Sequence, residues 1–192
     1  RAACAESEEV HALYIYSNNQ MKLHDEASCK IEFIIENLKS LEKSLNEFNI
    51  PLTIINSDGI NQDPSIILNL MNERAITRIY CNKQFGVDEE YRDTKVKELL
   101  EIKNINYFSY DAQVVFPPGS FKTGEGKPYS VFTPFKKRWV ENFNIDLLDI
   151  EFKYMPKTKT SISSNIDTFD FSFDKDHSVN MGLWPVGEEE SL

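Results

Sequence analysis

Few side chains in this sequence are placed to do chemistry, and those that are lie just after apolar runs. His24, in "MKLHDE", can be a ligand contact or a plain surface histidine. In "CNKQFGVDEEYRD", Asp88 can cap the helix that follows, and Glu89 and Glu90 suit its positive end. Arg92 and Asp93, one turn on, fit a surface ion pair. With only His11, His24 and His177, a hydrolytic triad has little support, and neither H-E-x-x-H nor G-x-S-x-G occurs. Cys4, Cys29 and Cys81 are widely spaced without C-x-x-C, which excludes a disulfide framework or zinc site and implies reduced thiols. Gly119, Gly124 and Gly126 in "GSFKTGEG" match neither phosphate-cradling glycine pattern and are expected to form turns.

The elements that must position these residues follow from periodicity. "VHALYIYS" (Val10 to Ser17) reads as a buried strand rich in β-formers. Ile31, Ile34, Ile35, Leu38, Leu41, Leu45 and Phe48 then recur at threes and fours, the stripe of a helix packed on one side. "PLTII", "TRIYCN" and "INYFSY" are further strands. A helix opens between the first two of these, with Asp63 as expected N-cap and Pro64 at its first position; another runs through "DEEYRDTKVKELLEIK". Strands alternating with helices predict an α/β fold: a Rossmann-like, doubly wound parallel sheet with helices on both faces. Ligands of such sheets sit beyond the carboxyl ends of the strands, which selects Ser17 to Asp25, Asn56 to Asp63 and Asn82 to Glu89.

The 192 residues carry a formal charge of −10, which argues against a dedicated nucleic-acid surface. The balance is uneven: Lys122, Lys127, Lys136, Lys137 and Arg138 face only Glu125 in the stretch 117–140, whereas acids dominate after Asn165. No apolar run approaches the roughly 20 residues of a membrane helix, so a soluble, cytoplasmic chain is expected. In "YSVFTPFKKRW" Thr133 is the expected N-cap and Pro134 the first helical residue, with Phe135 and Trp139 four apart on one face and Tyr129 and Phe132 packing just before.

The order of these residues is more specific than their spacing. "VVFPPGSFKTGEGKPYSVFTPFKKRW" resembles the photolyase/cryptochrome family, and most of the chain follows suit. "ALYIYSNNQMKLHDEASCKIEFIIENLKSLEKSLNEFNIPL" looks like the second strand, loop and helix of the family's antenna domain, and "IYCNKQFGVDEEYRDTKVKELL" like its fourth strand and helix. The resemblance implies an enzyme in which reduced FAD, held in a carboxyl-terminal helical domain, donates an electron to a flipped-out pyrimidine dimer in damaged DNA. The α/β domain would hold an antenna chromophore, often methenyltetrahydrofolate. Glu89 matches the acid that hydrogen-bonds the pterin ring, Asp88 stands where an asparagine is common, and His24 approaches the same pocket.

Two departures from the family bound what this chain can do. "RAACAESEE" matches only the end of the family's first helix, so its first, interior strand is missing; and only "MGLWPVGEEESL" resembles the entry to the helical FAD domain. The expected organisation is an antenna-binding domain over 1–145, an interdomain linker over 146–180 whose Phe169, Phe171 and Phe173 tuck against the domain, and the start of the FAD domain over 181–192. No catalytic residue or metal site is expected in this portion, and the intact protein is expected to be a monomer. A cryptochrome-type blue-light receptor and a stand-alone nucleotide-binding α/β module are the alternative readings.

Overall fold

The computed structural model describes residues 2–145, 157–175 and 178–187. A short helix α1 (Ala2–Glu6) precedes β1 (Ala12–Tyr16), α2 (Asn18–Leu23), α3 (Ser28–Asn46) and β2 (Leu52–Asn56). Then come α4 (Asp63–Glu73), β3 (Arg78–Asn82), α5 (Val87–Ile102), β4 (Asn106–Tyr110) and α6 (Phe132–Asn142). The expected parallel strands are all present, but as two pairs: β1 beside β2, with Ala12 opposite Leu52, and β3 beside β4, with Arg78 opposite Asn106.

The helices show how the pairs are ordered. On one face Ile31, Ile35 and Leu38 of α3 pack with Tyr16, Leu52 and Ile54. On the other, Ile67 and Met71 of α4 and Val96 and Leu100 of α5 pack with Leu13 and Ile15 of β1, Ile79 of β3 and Tyr107 of β4. Crossovers between parallel strands are right-handed. A helix on one face therefore carries the chain from β1 outward to β2, and a helix on the opposite face carries it back past β1 to β3, then on to β4. The winding reverses between β1 and β3, and these two strands are not hydrogen-bonded to each other. The resemblance places the family's first strand in the interior of the sheet.

Burial bears this out. Leu52, Thr53 and Ile54 of β2 are 1%, 6% and 2% exposed, whereas Ala12 to Ile15 of β1 are only partly buried. The outer strand is the better protected because the segment after residue 157 closes its edge. The Ser164 hydroxyl accepts from Leu52 N–H (2.9 Å), and the Asn165 amide accepts from Ile54 N–H (2.7 Å) and donates to Ile54 C=O (2.9 Å). Part of the expected linker is thus core, with Ile166 and Phe171 buried and Phe169 and Phe173 packed beside them. Replacing Asn165 with Ala leaves a strand N–H and C=O without partners, and should cost about 1–3 kcal/mol in urea unfolding.

Three helix starts differ from expectation by one or two residues. Asp63 is the first helical residue of α4 instead of its cap, because its carboxylate is taken by the Ser57 hydroxyl at 2.6 Å. Gly86, not Asp88, caps α5. Val131, not Thr133, precedes α6, which puts Phe132 inside the helix and 70% exposed; it does not pack as expected. Phe135 and Trp139 do share a face. Ring contacts linking Phe116, Phe121, Tyr129, Phe135, Trp139 and Phe143 fasten the 116–129 loop to α6. Lys136 and Lys137 stay on the wet side. The acids at 188–190 lie outside the described residues, as do residues 146–156 of the linker. Among the described residues, no helix is long and apolar enough to cross a membrane.

Candidate functional site

The reversal between β1 and β3 predicts where a ligand should bind, and a cleft of about 420 Å³ lies there. One wall comes from the segment after β1, with Gln20, Met21, His24 and Glu26; the other comes from the start of α5, with Val87, Asp88 and Glu89. The structure therefore gathers all three residues singled out in the sequence, His24, Asp88 and Glu89, into one site.

The first wall is built by a helix too short to show a stripe. Ser17 caps α2, its hydroxyl accepting from Gln20 N–H at 3.3 Å. The helix stops at His24, where Asp25 takes a left-handed φ of 50°, a conformation that a short polar side chain tolerates. Asp25 N–H then reaches Lys22 C=O (3.2 Å) and Glu26 N–H reaches Met21 C=O (2.9 Å), satisfying the last carbonyls and turning the chain into α3. Glu26 is held by Lys30 at 2.6 Å.

The second wall is electrostatic. Asp88, Glu89 and Glu90 occupy the first turn of α5, where unsatisfied N–H groups favour negative charge. Glu89 folds back over Gly86, its carboxylate filling the space that a β-carbon on residue 86 would take. The backbone of Gly86 is ordinary (φ −75°), so what an added side chain would disturb is the carboxylate. No Lys or Arg among the described residues lies within 4 Å of the Asp88 or Glu89 carboxylate. An exposed and a half-buried acid side by side, both unneutralised, are suited to accept from adjacent N–H donors. Val87, which lines the cleft, is 85% exposed.

Other polar groups near the strand ends are spent on one another. A smaller cavity of about 250 Å³ lies between β4 and α5, and three of its four charged side chains are paired: Lys83 with Asp111 at 3.0 Å, Asp93 with Arg92 at 2.7 Å and Lys97 with Glu101 at 3.8 Å. Beside it the Cys81 thiol donates to the Tyr107 hydroxyl at 3.1 Å, and burial pushes both groups up from their ordinary pKa values, which makes Cys81 a poor nucleophile. Burial also raises the Asp63 carboxyl, against the Ser57 hydroxyl and the Arg92 charge. Among the described residues no cluster of His, Cys, Asp and Glu could hold a metal ion. Gln20, Met21, Glu26 and Val87 were not singled out in the sequence; Gln20 and Met21 fall in the 17–25 window and Val87 in the 82–89 window, while Glu26 lies one residue beyond.

The fold and cleft define a doubly wound α/β domain whose candidate ligand site lies at the switch point of the sheet. The family model for DNA photolyase matches residues 1–157, and the chain belongs to that family. It is 34% identical to the deoxyribodipyrimidine photo-lyase of Escherichia coli over 141 residues, covering 73% of this chain and 29% of that protein. With the Neurospora crassa deoxyribodipyrimidine photo-lyase it shares 26% identity, covering 94% of this chain and 32% of the relative. The chain thus spans about a third of the length of these relatives. Among solved structures, a class III photolyase from Agrobacterium tumefaciens superposes with a TM-score of 0.68 at 19% identity, over 91% of this chain and 35% of its own. An archaeal photolyase from Sulfolobus tokodaii, solved with two FAD molecules, gives 0.51 at 18% identity, over 62% of this chain and 27% of its own.

Proposed function

We propose that this chain is the amino-terminal, antenna-chromophore domain of a light-driven DNA photolyase that, when intact, repairs cyclobutane pyrimidine dimers with an electron from reduced FAD. The observation that carries the reading is the cleft itself, with Asp88 and Glu89 side by side, unneutralised, and His24 facing them across the switch point. Its volume suits a ligand of drug size. A folate pterin presents a ring N–H beside an amino group, the donor pair that a carboxylate accepts. When bound, methenyltetrahydrofolate would supply light absorption and pass the energy to the flavin. The residues of this chain would hold and orient it: Glu89 and Asp88 on the donor edge, His24 opposite, Met21 and Val87 against its faces.

On this reading the antenna domain covers 1–145, a linker 146–180, and residues 181–192 begin the FAD domain. That domain would bind damaged DNA, and the intact protein would act as a cytoplasmic monomer. The experiment is to purify the intact protein in the dark, record its visible spectrum, and illuminate it with an oligonucleotide carrying one cyclobutane dimer. Flavin bands and dimer loss only in the light are expected. Flavin bands without repair would put the photoreceptor reading in its place, and a colourless protein would leave the nucleotide-binding module.

A further inference from the structure

We propose that the segment 164–175 is a strap that sets the position of the α2 wall of the cleft, with Phe171 and Tyr16 acting through Met21, and so tunes how tightly the cleft holds its ligand. The proposal rests on the antenna reading for the identity of that ligand, and on geometry for the rest.

The strap is fastened at both ends. At its start Ser164 and Asn165 hydrogen-bond along the edge of β2, and Asn165 N–H also reaches Leu52 C=O at 3.3 Å. At its end the Lys175 ammonium meets the Glu32 carboxylate of α3 at 2.5 Å. Between these anchors Phe169 and Phe171 lie edge-on to Tyr16, with ring centroids 6.0 and 5.2 Å away, and to each other at 4.8 Å.

Tyr16 is the last residue of β1, and the next residue, Ser17, caps α2. It is 1% exposed, and its hydroxyl has no hydrogen-bond partner among the described residues. Its place is therefore set by ring packing, which is what the strap supplies. Met21 packs against this same buried cluster and also lines the cleft. One side chain thus belongs to both the strap's core and the binding site. Trimming Phe171 frees Tyr16 and Met21 to shift, and α2 carries Gln20 and His24 with it.

By linkage the coupling runs both ways: if the strap improves ligand affinity by some factor, bound ligand must steady the strap by the same factor. The test uses 5,10-methenyltetrahydrofolate as probe, titrated by fluorescence into the 192-residue chain and into Phe171→Leu, with Ile67→Val as a control in the core on the opposite face. Phe171→Leu is expected to weaken the probe about tenfold, with Ile67→Val within twofold of the parent. Saturating probe should slow exchange of the Asn165 amide about tenfold. Equal losses in the two variants would mean that the strap acts only on overall stability, and would overturn the proposal. The ¹³C-methyl signal of Met21 gives an answer without ligand: it must move in Phe171→Leu and stay in Ile67→Val. A parent chain that ignores the probe sinks the antenna reading alone, and the strap then stands or falls on the methyl signal.

Discussion

The backbone amides of Leu13, Ile15, Tyr80 and Asn82 will exchange with solvent about a hundredfold faster than those of Tyr14, Tyr16, Ile79 and Cys81. The alternation follows from the pairings. Ala12 N–H donates to Pro51 C=O, and Ser57 N–H to Tyr16 C=O, so the even residues of β1 face β2 and the odd ones face away. Lys83 N–H donates to Tyr110 C=O, so the odd residues of β3 face β4 and the even ones face β1. Among the described residues no other backbone segment accepts from the four outward amides. A pair of parallel strands is a poor sheet by itself, since such strands are normally buried on both faces and paired on both edges. The protein meets the shortfall with shared helices beneath β1 and β3, not with hydrogen bonds.

The same reasoning says what would complete the sheet. A strand entering between β1 and β3 must run parallel to them and be apolar on both faces, since α4 and α5 lie below it and the rings of Tyr14 and Tyr80 stand on the other face. Added Thr-Val-Ile-Val-Leu-Val-Thr peptide should slow the four fast amides and leave the slow ones as they were. Uniform protection before any peptide is added would mean that β1 and β3 pair directly in solution, and the division of the sheet between them would be wrong.

Much of this was legible from residues alone because the fold is built from repetition. The three-and-four stripe of Ile31 to Leu45 and the β-formers of Ala12 to Tyr16 each state one element, and alternation of elements states a parallel sheet. Asp88 and Glu89 entered as candidate site residues through the family resemblance; by position alone they read as acids that open a helix after a strand. What escaped was non-local. Met21 and Gln20 sit on a six-residue helix, too short for periodicity to register, and matter only because α5 lies opposite. Asn165 reads as an ordinary loop residue until β2, 111 positions earlier, is placed beside it. The start of α4 slipped by one residue where Ser57 takes the Asp63 carboxylate. A separation of strands is invisible in any one stretch of sequence.

Replacing Glu89 with Gln will weaken binding of 5,10-methenyltetrahydrofolate by about ten- to a hundredfold, the span expected when a hydrogen bond to a charged acceptor loses its charge (about 1.5–3 kcal/mol). Gln keeps the length and shape of the side chain, so the loss isolates the second acceptor oxygen and the charge. An amide also offers an N–H where the pterin edge already has donors, which turns an attraction into an opposed pair. Asp88→Asn should cost less, because Asp88 is exposed where Glu89 is half-buried and partly withdrawn from water. The fold should not suffer in either variant, since among the described residues neither carboxylate accepts a hydrogen bond or ion pair that holds α5 in place. Fluorescence titration of the three proteins decides the order. If Glu89→Gln binds as the parent does while His24→Ala does not, the ligand's donor edge lies against α2, and Glu89 serves only to complement the positive end of its own helix.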